Sequence, residues 1–172
     1  CPLGCVYCQN HDISGLDADA SGICTDISGL ADTFLSLQQR GAHNIDLVTP
    51  TQYAAQLTQA IPLARRRGLT IPIVYNCGGY ERVETLRMLD GLIDIYLPDF
   101  KYYSSYYSER YSRAPDYPAA AKSAIKRMVE HTGAFELDEN GLLRRGVMIR
   151  HLVLPGQIEN TRAALFWIAD TF

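Results

Sequence analysis

The chain has 172 residues, 47% hydrophobic and 20% charged, with a net charge of −3. That is enough apolar material for one domain with its own core, and dispersed charges of both signs give no reason to expect nucleic acid or an anionic membrane as partner. No apolar run approaches the roughly 20 residues that span a bilayer and no signal-peptide pattern is visible, so the expected compartment is the cytoplasm.

The chain opens on Cys1-Pro2-Leu3-Gly4-Cys5-Val6-Tyr7-Cys8. Three thiolates from one short loop can hold three corners of a cubane iron-sulfur cluster and leave the fourth iron open, whereas a simple electron carrier closes its coordination with four cysteines. A zinc site would bring a second pair of ligands at short spacing, and Cys24, Cys77, His11, His43, His131 and His151 supply none. A thioredoxin-type pair from Cys5 and Cys8 leaves Cys1 unexplained. Five cysteines are an odd number without a secretory signature, which speaks against disulfides.

A polar, glycine-rich stretch over 12–29 follows. Leu30, Phe34 and Leu37 then recur at helical spacing, with Gly41 as the stop. A short strand is expected over 44–48. Ala54, Leu57, Ile61 and Ala64 mark a second helix, closed by Arg65-Arg66-Arg67 and Gly68 where cations complement the helix dipole. A strand over 71–76, a helix over 82–89 with Val83, Leu86 and Leu89 inward, and a strand over 92–97 come next. The tyrosine-rich stretch 102–117 reads as a packed connection carrying a short helix. A helix over 118–131 presents Ala121, Ile125, Met128 and Thr132 on one side, and Asn140-Gly141 suggests a hairpin. A strand over 147–154 and a helix over 159–172 end the chain.

Strands alternating with helices imply parallel βα units with right-handed crossovers. The four strands are nearly continuous apolar runs, as expected where both sheet faces are covered. A full eight-stranded barrel needs about 250 residues, so the expected fold is α/β, a partial or open parallel (β/α) barrel. Ligand chemistry then belongs at the carboxyl ends of the strands. Those ends carry Thr49-Pro50-Thr51, Asn76-Cys77-Gly78-Gly79, Pro98-Asp99-Phe100-Lys101 and Arg150-His151. Period-two alternation puts Asp99 and Lys101 on the face of Ile95 and Leu97 and sends Arg150 and His151 to opposite faces. Arginine suits an anion through bidentate geometry, while His151 reads as a satisfied structural histidine.

The motif Cys1-x3-Cys5-x-Tyr7-Cys8 resembles the cluster loop of radical S-adenosylmethionine (SAM) enzymes. Cys8-Gln9-Asn10, the segment 73–76, the block 94–102 and the block 150–156 resemble the branch related to pyruvate formate-lyase-activating enzymes. The resemblance implies a radical SAM core over 1–172, truncated at both ends, with the strand before Cys1 and closing elements after Phe172 missing. It implies a [4Fe-4S] cluster on Cys1, Cys5 and Cys8, SAM on the open iron, and reductive cleavage to a 5′-deoxyadenosyl radical that abstracts hydrogen. It further implies cofactor contacts from Tyr7, Gln9, Asn10, Thr49, Thr51, Asn76, Asp99, Lys101 and Arg150, with Asp99 and Lys101 toward the ribose and methionyl part and Arg150 toward the carboxylate. Partners implied are a glycyl-radical protein as substrate and a flavodoxin or ferredoxin as electron donor. Where many relatives have Gly-Gly-Glu to receive the methionine amino group, this chain has Thr49-Pro50-Thr51. A non-catalytic iron-sulfur or zinc module that keeps the cysteine loop is the alternative reading.

Overall fold

The computed structural model describes residues 1–11 and 22–172. In chain order the elements are α1 (Ile27–Gln39), β1 (Ile45–Val48), a 3-10 turn (Thr51–Tyr53) leading into α2 (Ala54–Arg66), β2 (Ile73–Cys77), α3 (Val83–Met88), β3 (Ile95–Pro98), α4 (Ser105–Ser112), α5 (Tyr117–Thr132), β4 (Glu136–Leu137), β5 (Leu143–Val147) and α6 (Ile158–Thr171). Part of the polar stretch read over 12–29 lies outside the described residues.

Local chemistry accounts for the helix limits. Asp26 caps α1 by accepting from the Gly29 N–H at 2.7 Å, satisfying a donor that the helix cannot. Helix α2 buries Leu57, Ala60, Ile61 and Ala64, a stripe at steps of three and four. Its arginine run is a helix end, as expected. The Arg65 guanidinium donates to the Leu69 and Ile71 carbonyls and pairs with Asp94 at 2.6 Å, while Arg67 pairs with Asp32 of α1 at 2.7 Å. On α5, Ala121, Ile125, Met128 and Thr132 are all buried, as the spacing predicts.

The strands form one five-stranded sheet in the order β1-β2-β3-β5-β4. Pairing is parallel from β1 through β5, and β4 closes on β5 as an antiparallel hairpin. The architecture is therefore α/β around a mostly parallel sheet, with β1 and β4 at its edges. Three strand expectations are corrected. Five strands stand among the described residues rather than four. The last parallel strand is Leu143–Val147 rather than 147–154, because the turn at Gly141 feeds directly into pairing with β3, where Ile95 matches Gly146. The apolar run after it keeps a single bridge, Asp99 to Arg150. Nor are both sheet faces covered along the whole sheet: Val48 and Met148 are more than half exposed.

Among the described residues two clusters make the core. The larger lies between the sheet and helices α1, α2, α3 and α5, around Phe34, Leu57, Ile61, Ile73, Tyr75, Tyr96 and Met128. The second gathers Leu3, Phe100, Tyr102, Tyr117, Ala121, Ile125 and Ala164, with Cys1, Cys5 and Tyr7 packed against it. Among the described residues no helix is long and apolar enough to cross a membrane.

Candidate functional site

The cysteine loop is fastened to the fold at five points. Leu3 is buried in the second cluster and lies so close to Gly78 that a Cβ there would stand 3.0 Å from its Cδ1. The Gly4 and Val6 amides donate to the Ser112 and Tyr111 carbonyls at the end of α4, at 3.1 and 2.9 Å. Tyr7 hydrogen-bonds Tyr102 through their hydroxyls, and the Cys5 sulfur meets the Ser112 hydroxyl at 2.9 Å. Burial drives the Tyr7 phenol far above its ordinary range, so it stays a neutral hydroxyl. The tyrosine-rich stretch is thus the floor under the cysteines, a more specific part than the packed connection expected of it.

None of the three loop cysteines is in a disulfide, and all three are half-buried. Among the described residues no three cysteine, histidine or carboxylate side chains are gathered into a metal-holding arrangement, and Cys5 is turned toward Ser112. The donor set suits an iron-sulfur cluster in kind: three unoxidised thiols within eight residues, on a loop whose backbone is pinned.

The carboxyl ends of β2 and β3 supply a polar strip. Asp99 places one carboxylate oxygen on Lys101 Nζ and the other 2.8 Å from Arg150 Nε. Arg150 also donates to Asn76 Oδ1 at 2.8 Å, and Asn76 donates to Asp46 at 3.2 Å. Alternation therefore carries through Pro98 as expected, since Asp99 and Lys101 share the side of Ile95 and Leu97. A groove of about 230 Å³, lined by Asp46, Val74, Ile95, Leu97 and Met148 among others, runs along that sheet face. Arg150 and His151 separate as expected. His151 is satisfied by the Phe100 carbonyl at 2.6 Å and Thr161 Oγ1 at 3.1 Å; since a carbonyl only accepts, Nδ1 carries the proton and Nε2 accepts from the threonine.

Not every expected residue joins the strip. Gln9 and Asn10 are exposed beyond Cys8. Thr49 has a left-handed backbone, φ 52°, and its amide donates to the Asn76 carbonyl at 2.7 Å. The Thr51 hydroxyl donates to Glu81 Oε1 at 2.6 Å, so toward a ligand it can act only as an acceptor. Glu81, which sequence reading passed over, is buried and also accepts from Tyr75 at 3.2 Å. Burial pushes its carboxyl above the ordinary 4.5 and the neighbouring Cys77 thiol well above its usual value. Glycine pairs at a strand end followed by an acid were the signal available for it.

Tyr117, also missed, ties the strand ends together. Its hydroxyl lies 2.9 Å from the Gly78 carbonyl and 2.7 Å from the Asp99 carbonyl, and accepts from the Lys101 amide at 2.9 Å.

No known protein-family profile matches the chain. It is 28% identical over 173 residues to the uncharacterized protein MJ0674 of Methanocaldococcus jannaschii, a match that covers 96% of this chain and 46% of that protein. The chain thus spans about half the length of this relative.

Proposed function

We propose that this chain is a radical SAM enzyme core related to glycyl-radical-enzyme activation, its sheet a section of a parallel barrel. The observation that carries the reading is the docking of a three-thiol loop onto the segments following β2 and β3, beside the strip of Asn76, Asp99, Lys101 and Arg150. Cys1, Cys5 and Cys8 would hold the [4Fe-4S] cluster. When bound, a cluster with an open iron supplies the electron that cleaves the SAM sulfonium to methionine and a hydrogen-abstracting 5′-deoxyadenosyl radical.

The strip offers SAM what its methionyl end needs. One carboxylate, Asp99, stands between two cations, which leaves one positive charge uncompensated within that trio. Lys101 and Asp99 are 15% and 18% exposed, whereas Arg150 is 44% exposed, so Arg150 is the cation open to an anion. Its guanidinium is already oriented by Asp99 and Asn76, which lowers the cost of fixing it on a carboxylate. The Thr51 hydroxyl gives its proton to Glu81 and keeps lone pairs that can accept from an ammonium, alongside backbone carbonyls near Thr49.

Anaerobic reconstitution tests the reading. Iron and sulfide should load in equal amounts, and dithionite with SAM should yield 5′-deoxyadenosine. Loss of Cys5 (Cys5→Ala) should abolish the cluster, whereas Cys24→Ala should retain it. A verified cluster that yields no 5′-deoxyadenosine would refute catalysis; stoichiometric zinc without sulfide would place the chain with non-catalytic metal modules.

A further inference from the structure

Ser112 lies in the last turn of α4, 107 residues from Cys5, yet its hydroxyl sits 2.9 Å from the Cys5 sulfur. It is 1% exposed, and Tyr102 behind it is fully buried. Tyr102 Oη lies 2.7 Å from Ser112 Oγ, and Tyr7 Oη is hydrogen-bonded to Tyr102 in turn. A serine in a helix commonly donates to the carbonyl four residues back. That carbonyl, of Ser108, already accepts from the Ala114 amide at 3.2 Å, which leaves the Ser112 hydroxyl to the loop.

Proton counting fixes the direction of this chain once Cys5 is a ligand. A coordinated thiolate has no proton and only accepts, so Ser112 must donate to it. The single Ser112 proton is then used, and Tyr102 must donate to Ser112 Oγ. By the same count Tyr7 donates to Tyr102. Three hydroxyl dipoles align toward one sulfur, each polarising the next. Hydrogen bonds to cluster sulfurs favour the reduced state, which carries the additional negative charge, and so raise the reduction potential.

We propose that Ser112, backed by Tyr102 and Tyr7, is a positioning residue that donates a hydrogen bond to the Cys5 thiolate and raises the potential of the cluster. This rests on the cluster-binding reading above and adds to it an assignment of which protein group tunes the redox step. The loop backbone is held independently, through the Gly4 and Val6 amides and Leu3, so removing one hydroxyl leaves that backbone pinned.

The test is a potentiometric titration of the reconstituted protein, followed by the spectrum of the reduced cluster. Ser112→Ala should lower the ratio of reduced to oxidised cluster at a fixed potential by roughly threefold to tenfold, tenfold being 59 mV. Tyr102→Phe should move it the same way by less, and Ser112→Thr, which keeps a hydroxyl, should restore it toward the parent. A loaded Ser112→Ala protein with the parent potential overturns the proposal. If that variant fails to load, Tyr102→Phe and Tyr7→Phe decide: parent potentials in both overturn it. A parent protein that loads no iron and sulfide overturns the underlying reading instead, and this proposal with it.

Discussion

Replacing Tyr117 with Phe removes one oxygen atom and tests how the ends of β2 and β3 are held. The ring packs at 5.4 Å from Tyr102 and 6.0 Å from Tyr80, centroid to centroid, and Phe keeps those contacts. What is lost is the acceptor for the Lys101 amide and the donor shared by the Gly78 and Asp99 carbonyls. Tyr117 is fully buried, and a buried backbone group left without a partner costs about 1–3 kcal/mol. One orphaned amide plus one proton's worth of carbonyl bonding gives a destabilisation of about 2–4 kcal/mol. Urea unfolding measures it as a lower midpoint at unchanged slope. The exposed Tyr103, replaced by Phe, is the control and should stay within about 0.5 kcal/mol. A Tyr117→Phe loss below about 0.5 kcal/mol would refute the view that this hydroxyl fastens the strand ends.

Gly79→Ala should prevent folding or cost at least about 3 kcal/mol, because at φ +79° the added Cβ would lie 2.1 Å from the Asp99 carbonyl oxygen; Gly41→Ala, also at positive φ but in open space, should cost only about 1 kcal/mol by thermal melting. Glu81→Gln should gain stability over the parent as pH rises: burial raises the folded carboxyl's pKa above 4.5, so the folded state binds the extra proton and parent stability falls from about 4.5 upward. Denaturation across that range measures the gain, and a pH-independent difference would contradict it. His131 is depressed below 6.5 by burial, which outweighs the attraction of Asp90, and its Nε2 accepts from the Gly91 amide at 2.6 Å. The unfolded chain therefore takes the proton first, and stability is lost as pH falls below 6.5 toward the folded value; His131→Gln should flatten that slope.

The helices were legible because their apolar residues recur at steps that only a helix turns to one side, as on α2 and α5. Asp99 and Lys101 were legible for a related reason: Pro98 remains within β3, so alternation survives to the strip. The last parallel strand was misplaced because Val147 to Leu154 is the more apolar run. Pairing with β3 instead selected Leu143–Val147, whose arginines have local uses. Arg145 reaches back to the Thr132 and His131 carbonyls at the end of α5, at 2.8 and 3.2 Å, and Arg144 pairs with Asp138 at 2.8 Å. No local pattern announces Ser112 or Tyr117, and only the glycine pair before it points to Glu81. Each acts on residues brought to it by the fold, and Ser112 meets Cys5 only across most of the chain.

The hub at Tyr117 also bears on how the protein opens. Segments that follow strands ordinarily exchange their amide hydrogens through small local excursions that leave the interior shut. Here the Lys101 amide reports to a fully buried side chain of the longest helix among the described residues. Releasing it requires the buried start of α5 to leave the second cluster, so this amide should exchange far more slowly than an ordinary loop amide. The polar rim is then tied into a buried, cooperative part of the molecule, and its geometry persists with that part.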